Sequence, residues 1–396
     1  MARSALEVAD ILHAHGSAFR AAYAGHLSLA QLKVMSAIER CRSAALGGHV
    51  VRCEACERTE IAYNSCRNRH CPKCQGATAK RWLAKRESEL LPVSYFHVVF
   101  TVPGAIADIA YQNKAVVYNA LFKAAAQTLL TIGADPKHLG AQLGMIAVLH
   151  TWGSAMTHHP HLHCIVPGGG LSRDGQRWVP CKRPKFLVSV RVLSMLFRRL
   201  LLEQLANAHR AGQLQFFAAL EPLRDDNAFD AVLRALKKRK WYIDIRPPFA
   251  GPAAVLQYLS RYTHRVAIAN SRLLAFDETQ VTFRWKDYRA ATDNRYKTMS
   301  LRTLEFIRRF LIHVLPHGFH RIRHYGLFAN GQRSANLTKA RACLNVQLPS
   351  DTHDDEPCDD PPPPLWLACR ACGHTMRIIE IFQPAPQHRG GDPPWR

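Results

Sequence analysis

The spacing of apolar residues along the chain alternates between helix-like and strand-like periods. In the first 45 residues apolar side chains recur at intervals of three and four, which predicts helices. Later runs rich in β-branched and aromatic residues predict strands, and long amphipathic stretches predict further helices. The predicted strands are YFHVVFTV (95–102), GMIAVLHTW (144–152), HLHCIVPGGG (161–170) and WYIDIR (241–246), and the predicted helices are 114–132, 191–209 and 251–266.

These elements mix without strict β-α-β alternation, which favours an α+β fold with a central antiparallel sheet flanked by helices. The acidic, proline-rich stretch DTHDDEPCDDPPPP predicts an extended linker near the carboxyl end. We therefore expect a small helical and zinc-knuckle domain (1–92), a main domain (93–335), a linker (336–365) and a small C-terminal module with a tail (366–396).

Charge and composition favour a polyanionic partner. The chain carries 53 Lys and Arg against 30 Asp and Glu, a formal charge of +23, which attracts nucleic acid. No run reaches the roughly 20 apolar residues that a membrane span needs. Glu7 and Asp10 interrupt the apolar region that a signal peptide would require. We expect a cytoplasmic protein with no membrane partner.

Half of the twelve cysteines lie between Cys41 and Cys74, which is typical of a metal site in a reducing compartment. A C-x-x-C knuckle supplies two thiolates from one tight turn, so two knuckles predict a tetrahedral zinc site. The predicted zinc ligands are Cys53, Cys56, Cys71 and Cys74.

Other cysteines and histidines remain after this assignment. They are either ordinary structural residues or a second tetrahedral set formed by Cys41, His49, Cys66 and His70. The later Cys369-x-x-Cys372 knuckle has no obvious second pair in sequence, so it is not predicted to bind zinc.

A His-x-His pair lies on a predicted strand. Because strand side chains alternate, His161 and His163 share one face while Leu162 points into the core behind them. If residues 153–159 form a hairpin loop, His150 on the preceding strand lies opposite this pair. The pattern predicts three imidazole ligands for a divalent metal ion.

Tyr258 and Tyr262 are four residues apart on a predicted helix, so their hydroxyl groups emerge on the same side. An apolar stripe on this helix allows a competing interpretation in which the tyrosines only pack. Beside a metal ion, a phenol could attack a DNA phosphate and conserve the energy of the broken bond as a phosphotyrosine ester. The chain has no G-x-x-x-x-G-K-[ST] loop, as expected if no ATP is required.

Basic residues accompany these motifs and are candidate DNA contacts. Some flank the knuckles, some flank the tyrosines, and some alternate with Trp285 and Tyr288, a pattern suited to single strands. The candidates are Arg67, Arg69, Lys73, Arg261, Arg265, Arg284 and Lys286. The run 237–240 is more typical of a solvated helix end.

Several of these motifs occur together in a known family. The segments CRSAALGGHVVRC, YNSCRNRHCPKCQ, HHPHLHCIVPGGG, QYLSRYTHRVAIAN and FHRIRHYG resemble transposases of the insertion-sequence ninety-one group, which are rolling-circle enzymes of the HUH (histidine–hydrophobic–histidine) superfamily. The resemblance spans residues 5 to about 335. It implies an N-terminal transposase zinc-binding domain followed by a two-tyrosine HUH nuclease domain.

The same resemblance implies an activity and its site. It implies cleavage and rejoining of single-stranded DNA at transposon ends and target, through a 5′-phosphotyrosine intermediate with Mg²⁺ or Mn²⁺. His161 and His163 would be metal ligands, Tyr258 the first nucleophile and Tyr262 its partner. The third ligand is His150 by the hairpin argument, or Gln257 on the tyrosine helix. Nucleoid association in a bacterium and self-association are further expectations.

Two alternatives keep part of this interpretation. A plasmid relaxase or replication initiator of the same superfamily would use the same chemistry, although the upstream Cys/His module favours a transposase. A non-catalytic zinc-dependent DNA-binding protein would explain the cysteines and the charge, but not the histidine and tyrosine motifs. A water-using metallohydrolase is disfavoured because no carboxylate adjoins the His-x-His motif.

Overall fold

The computed structural model describes residues 6–87, 89–183, 186–246, 248, 254, 267–287, 295–346 and 368–384. Helices and antiparallel strands mix along the chain, as the α+β prediction requires. The N-terminal part contains α1 (Val8–Ala22), α2 (Leu29–Glu39), β1 (Gly48–Cys53), β2 (Thr59–Tyr63) and α3 (Pro72–Glu87).

The middle of the chain supplies most of a central sheet and the helices that cover it. Its elements are β3 (Tyr95–Thr101), α4 (Gly104–Gln112), α5 (Lys114–Ala134), β4 (Gly144–Trp152), β5 (His158–Pro167), β6 (Gly169–Leu171), β7 (Trp178–Pro180), α6 (Val190–Arg210), α7 (Asp226–Lys238) and β8 (Ile243–Arg246).

The last part completes this sheet and adds a smaller one. Its elements are β9 (Leu273–Phe276), β10 (Gln280–Lys286), β11 (Tyr296–Arg302), α8 (Thr303–Leu311), β12 (Ile322–Gly326), α9 (Arg333–Cys343) and β13 (Met376–Phe382). The central sheet has the order β12-β4-β5-β3-β8 with every neighbouring pair antiparallel.

The two faces of the central sheet have different roles. Phe96, Phe100, Leu149, Leu162 and other alternate residues are buried in one apolar core together with α4, α5 and α6. This burial is why the β-branched and aromatic runs form strands here. The opposite face carries histidines on β3, β4, β5 and β12, and near Val148 and Ile165 it is covered by α3 and α9. The histidines of β3, β4 and β5 therefore occupy the face that the main core does not use.

Helix α5 is the central element of this core. By length and composition it could cross a membrane, yet 61% of that stretch is buried inside the fold. Its alanines and leucines pack between the sheet and α6, as expected of a core helix.

The N-terminal helices share a core with the last part of the chain. Phe19 and Met35 are buried with Phe283, Phe306 and other residues of β10 and α8. Helix α2 begins with a capping box, in which Ser28 and Gln31 satisfy each other's backbone N–H groups. The first 40 residues consequently contact the main domain through a continuous apolar interface.

The C-terminal segment differs from the expected separate module. Strand β13 pairs with β1 along its length, from Gly48 opposite Phe382 to Cys53 opposite Met376. With β2 on the other side of β1, it completes a three-stranded sheet of order β13-β1-β2. Main-chain pairing over some 300 residues of separation is invisible to local sequence patterns, which is why the sequence suggested an independent unit.

Buried histidines should make the fold sensitive to acid. His313 accepts a hydrogen bond from the Thr151 hydroxyl and donates one to the Met156 carbonyl, both at 3.1 Å, so the neutral ring is fully bonded. Burial lowers the pKa of His313 to about 3. The unfolded chain, with an ordinary histidine pKa, binds the proton first as the pH falls. The stability that the neutral ring contributes is therefore present above about pH 6.5 and is lost below it.

We predict that His313→Asn weakens this pH dependence. Between pH 6.5 and 5, the fall in the free energy of unfolding should be smaller than in the wild type by about 2 kcal/mol. Urea denaturation at a series of pH values measures it, with the exposed His26 changed to Asn as the matched control. Equal pH slopes in both variants and the wild type would contradict the prediction.

Candidate functional site

Three histidines from two adjacent strands meet on one face of the central sheet. His150 on β4 is the direct cross-strand partner of His161 on β5, and His163 lies two residues further along β5. The ring centroids are 5.4 Å apart for His150 and His161, 4.4 Å for His150 and His163, and 4.9 Å for His161 and His163. One ring nitrogen from each lies within 4.8 Å of the others. The hairpin argument predicted that these three imidazoles lie together, and their positions agree with it.

Neighbouring groups orient these rings. Leu162 is fully buried in the core on the opposite face, as predicted, and holds the register of β5. Trp152 stacks on His150 with centroids 4.7 Å apart. His161 Nδ1 lies 2.6 Å from the His159 carbonyl oxygen. Because a carbonyl can only accept, His161 Nδ1 carries the proton and Nε2 keeps its lone pair for a ligand.

A fourth histidine, His97 on β3, belongs to the site and was missed in the sequence analysis. Its Nε2 is 2.8 Å from His163 Nδ1, and the two rings are nearly parallel at 3°. With His163 Nδ1 engaged in this hydrogen bond, His163 Nε2 is the nitrogen left for a metal ion. The available signal was a single polar residue in the otherwise apolar run YFHVVFTV.

Burial keeps the imidazoles of His97, His161 and His163 neutral. Removal from water lowers the pKa of His161 and of His97 to about 4, and it lowers the pKa of His163 well below its ordinary value. The nearby basic groups, Arg246 among them, add smaller effects in the same direction for His97 and His163. Neutral imidazoles present lone pairs at physiological pH, and they would leave the charge of a bound divalent ion undiminished.

The tyrosine pair lies in a segment outside the described residues. Tyr258, Tyr262, the alternative ligand Gln257 and the basic residues Arg261 and Arg265 all fall there. Both flanks of this segment adjoin the histidine site. Arg246, at the end of β8, is the cross-strand partner of His97. Ala267 lines a small cavity together with Trp152 and His313.

The predicted set of zinc ligands is wrong in its grouping. Cys71 and Cys74 meet two other cysteines, and the four thiols form a cluster of Cys41, Cys66, Cys71 and Cys74. The Sγ atoms of Cys41 and Cys66 are each 3.6 Å from Cys74 Sγ. Sulfurs bound to one tetrahedral zinc are about 3.8 Å apart, because each Zn–S bond is about 2.3 Å. The cluster therefore has the dimensions of a four-thiolate zinc site.

The β1–β2 hairpin explains the regrouping. Cys41 and Cys66 lie before and after the hairpin at its base, where Arg42 N–H donates to the Asn64 carbonyl. Cys53 and Cys56 lie at its tip, roughly 17 Å away along the six residues of β1. One zinc ion cannot bridge that distance. At the tip, Cys53 and Cys56 meet Cys369 and Cys372, the knuckle that was not assigned to zinc.

The predicted second set is also wrong, because its histidines have other roles. His70 is buried, and its Nε2 accepts a hydrogen bond of 3.4 Å from the Leu315 N–H. Burial lowers the pKa of His70 to about 3. His49 lies on β1 between Ala62 and Ile381 of the neighbouring strands. Neither imidazole joins a cysteine cluster among the described residues.

The basic residues near the first cluster are mostly used inside the fold. Arg69 donates to the carbonyl oxygens of Phe319 and Pro316, the latter at 2.8 Å. Lys73 pairs with Glu7 at 2.5 Å. These two contacts tie the zinc loop to the main domain and α1, so they do not support binding of phosphate by Arg69 and Lys73. Arg67 is exposed.

The basic residues of β10 lie beside the histidine hairpin. The Lys286 N–H donates to Ser154 Oγ at 2.5 Å, and Arg272 donates to the carbonyl oxygens of Arg284 and Ser154. Ser154 belongs to the turn between β4 and β5. The exposed Arg284 and the half-buried Lys286 thus lie on a strand attached to the β4–β5 hairpin that carries the three histidines.

Comparison with known proteins agrees with this architecture. A family model described as "Putative transposase" matches residues 144–336, and one described as "Transposase zinc-binding domain" matches residues 11–102. The chain is 56% identical to "Putative transposase y4qJ" of Sinorhizobium fredii, over 96% of this chain and 97% of that protein. It is 24% identical to "Transposase for insertion sequence element IS801" of Pseudomonas savastanoi pv. phaseolicola, over 83% of this chain and 77% of that protein. The chain therefore belongs to the insertion-sequence ninety-one (IS91) family of transposases and carries that family's N-terminal zinc-binding domain.

Proposed function

We propose that this transposase cuts and rejoins single-stranded DNA by means of a tyrosine nucleophile next to a metal ion held by His150, His161 and His163. The central domain would then be an HUH nuclease. The observation that carries the proposal is the cluster of three imidazoles on a sheet face that the main core leaves free, two of which, His161 and His163, burial keeps neutral. Hydrogen bonds orient His161 and His163 so that Nε2 of each is available as a ligand, and Trp152 stacks on His150.

The flanks of the segment 247–266 support a role for Tyr258 and Tyr262. The segment starts at β8 and ends beside β4, three strand spacings or about 14 Å apart across the sheet. The helix predicted from its sequence, 251–266, would be about 24 Å long, which is enough for the crossing. If this predicted helix crosses on the histidine face, it would carry the tyrosines over β3 and β5, the strands of His97, His161 and His163.

The chemistry follows from these groups. The phenol oxygen of Tyr258 attacks the scissile phosphorus and loses its proton to solvent, the bond from phosphorus to the 3′ oxygen breaks, and the 3′ oxygen takes up a proton. A bound Mg²⁺ or Mn²⁺ would supply Lewis-acid stabilisation and a template for the phosphate. The product is a 5′-phosphotyrosine ester. Attack on this ester by a 3′ hydroxyl of transposon end or target restores the phosphodiester and releases the phenol, and Tyr262 allows a second attack in the same site.

Basic residues on the protein surface would bind the DNA and take no part in bond breaking. Arg67, Arg284 and Lys286, with Arg261 and Arg265 of the tyrosine segment, would neutralise the DNA backbone, in line with the formal charge of +23. Zinc bound by Cys41, Cys66, Cys71 and Cys74 would hold the loop that docks Arg69 and His70 onto the main domain.

The tyrosines can be tested directly. Incubation with single-stranded DNA of a transposon end and Mn²⁺ should produce a covalent adduct that survives denaturant, and Tyr258→Phe/Tyr262→Phe should abolish it. Tyr63→Phe, at an exposed position of β2, is the matched control and should form the adduct normally. An adduct in the double variant would refute the nucleophile assignment, and the absence of any adduct in the wild type would favour a non-catalytic DNA-binding protein.

Removal of the proposed metal ligands should abolish DNA cleavage and leave DNA binding largely intact. In His161→Ala/His163→Ala we expect at least a 100-fold loss of cleavage rate, because the removal of two ligands empties the site. The affinity for single-stranded DNA, measured by fluorescence anisotropy, should change less than threefold. His26→Ala provides the exposed control. A cleavage rate equal to the wild type would rule out these ligands.

His97 is proposed as a positioning residue for His163. His97→Ala should raise the Mn²⁺ concentration for half-maximal cleavage about 10- to 100-fold, because the hydrogen bond that orients the ligand is lost. At saturating Mn²⁺ the rate should approach that of the wild type, and His97→Asn should restore part of the affinity through its side-chain amide. A loss of rate that excess metal does not correct would argue for a different role.

A further inference from the structure

The tip of the β1–β2 hairpin and the C-terminal segment bring four further thiols together. Cys53 Sγ is 3.4 Å from Cys372 Sγ, Cys56 Sγ is 3.6 Å from Cys369 Sγ, and Cys372 Sγ is 3.5 Å from Cys56 Sγ. These separations are close to the edge of a zinc-thiolate tetrahedron, about 3.8 Å. They are far from a disulfide bond of about 2.05 Å. The cluster is therefore arranged as a ligand set and not as two disulfide bonds.

The two knuckles have the same backbone conformation. In each, the residue after the second cysteine donates its N–H to the carbonyl of the first, from Glu57 to Cys53 at 3.1 Å and from Gly373 to Cys369 at 2.8 Å. That residue has a left-handed backbone in both cases, with φ of 57° at Glu57 and 77° at Gly373. A non-glycine residue rarely adopts this conformation without a compensating constraint. A metal ion that fixes both cysteine side chains provides one.

The strands around the knuckles complete a zinc-ribbon arrangement. The first knuckle connects β1 to β2. The second is enclosed by the antiparallel bridge between Ala368 and Thr375, directly before the start of β13 at Met376. Because β13 pairs with β1, the two knuckles face each other at one end of the three-stranded sheet. Behind them, Val51 and Met376 form a small apolar cluster with Cys53 and Cys369. This core is too small to hold the sheet end by itself, and a structural metal is the usual solution.

The charges near the knuckles also fit a metal-thiolate centre. Four thiolates around Zn²⁺ leave a net charge of −2, and cationic side chains favour the thiolate form. Arg370 lies within the second knuckle and Arg377 follows it. Beside the first knuckle, Arg52 and Arg58 are already paired with Glu57 and Glu60, at 3.2 and 3.0 Å, so the cationic contribution comes from the second knuckle.

We propose that Cys53, Cys56, Cys369 and Cys372 bind a second zinc ion, which fastens the C-terminal segment to the N-terminal hairpin. The model of the transposase zinc-binding domain ends at residue 102, so it contains the whole first cluster but only half of this one. The second zinc closes a loop of about 300 residues and makes the N-terminal sheet dependent on both ends of the chain. This site does not rest on the proposed DNA chemistry.

Metal content of the full-length chain tests the proposal. Purified in the presence of a thiol reductant, the wild type should contain two zinc ions per chain by plasma mass spectrometry. Cys369→Ser/Cys372→Ser should contain one, and Cys41→Ser/Cys66→Ser should retain the other. Cys181→Ser/Cys343→Ser, outside both clusters, is the matched control and should contain two. One zinc in the wild type, or two in Cys369→Ser/Cys372→Ser, would overturn the proposal.

A measurement on the wild type covers the case in which a variant fails to fold. Cys56 and Cys372 are exposed, so as free thiols they should react readily with N-ethylmaleimide. With zinc bound and reductant present, both should resist alkylation, and a strong chelator should raise their rates at least tenfold, as read by peptide mass spectrometry. Equal rates with and without chelator would contradict the second site. Protection that reductant alone abolishes would identify disulfides and also reject it.

Amide hydrogen exchange distinguishes a zinc ion that fastens the C-terminal segment to the hairpin from one that is bound without a structural effect. Loss of zinc from the second site should speed amide hydrogen exchange in 376–382 and 48–53 at least tenfold, while β4 and β5 remain protected. Unchanged exchange in Cys369→Ser/Cys372→Ser would refute the fastening role.

Discussion

The register between β4 and β5 is the constraint on which the histidine site depends. His150 opposes His161 because Leu149 and Leu162 on the other side of the same strands are buried in the main core. A slip of one residue would turn every imidazole into that core and every leucine out of it. The large apolar face, helix α5 above all, therefore determines how the three histidines are placed on the opposite face. The same alternation on β3 buries Phe96 and Val98 in the main core and places His97 on the histidine face, where it contacts His163.

The cysteine-rich region acts as a connector as well as a domain. The loop that carries Cys66 and Cys71 also carries Arg69 and His70, which bond to the backbone around residues 315–319. The first cluster thus fixes a loop that contacts the turn between α8 and β12. The second cluster lies at the far end of the β1–β2 hairpin and joins it to the C-terminal segment. Folding of this region requires contacts that span nearly the whole chain.

Membership of the IS91 transposase family favours a transposase over the relaxase and replication-initiator alternatives. The relatives extend over almost the full length of the chain, and the family's zinc-binding domain precedes the region that contains the histidine strands. The proposed mechanism rests on three features: the neutral imidazoles of His161 and His163, a hydrogen bond from His163 Nδ1 to His97 that orients the His163 ring, and a tyrosine segment whose flanks adjoin the site. In the same proposal, basic residues near the hairpin would contact the DNA backbone.

The sequence by itself determined the elements and the local motifs of this protein. Periodicity predicted the strands of residues 95–102 and 144–152 and the helices around α5 and α6, and alternation put His161 and His163 on one face. The position of His150 opposite His161 also followed, because a short hairpin connects neighbouring strands and its register depends on nearby residues. These are short-range relations, which local spacing records.

Tertiary structure alone decided which distant groups meet. Cys53 and Cys56 join Cys369 and Cys372 rather than Cys71 and Cys74, because β13 pairs with β1 and the hairpin separates its tip from its base by roughly 17 Å. His97 lies beside His163 because β3 pairs with β5. His70 does not contact the cysteine cluster and accepts a hydrogen bond from the Leu315 N–H instead. Spacing along the chain shows which residues can act as a pair in one turn. Long-range strand pairing and core packing determine which second pair of residues meets the first, and local sequence patterns do not record these contacts.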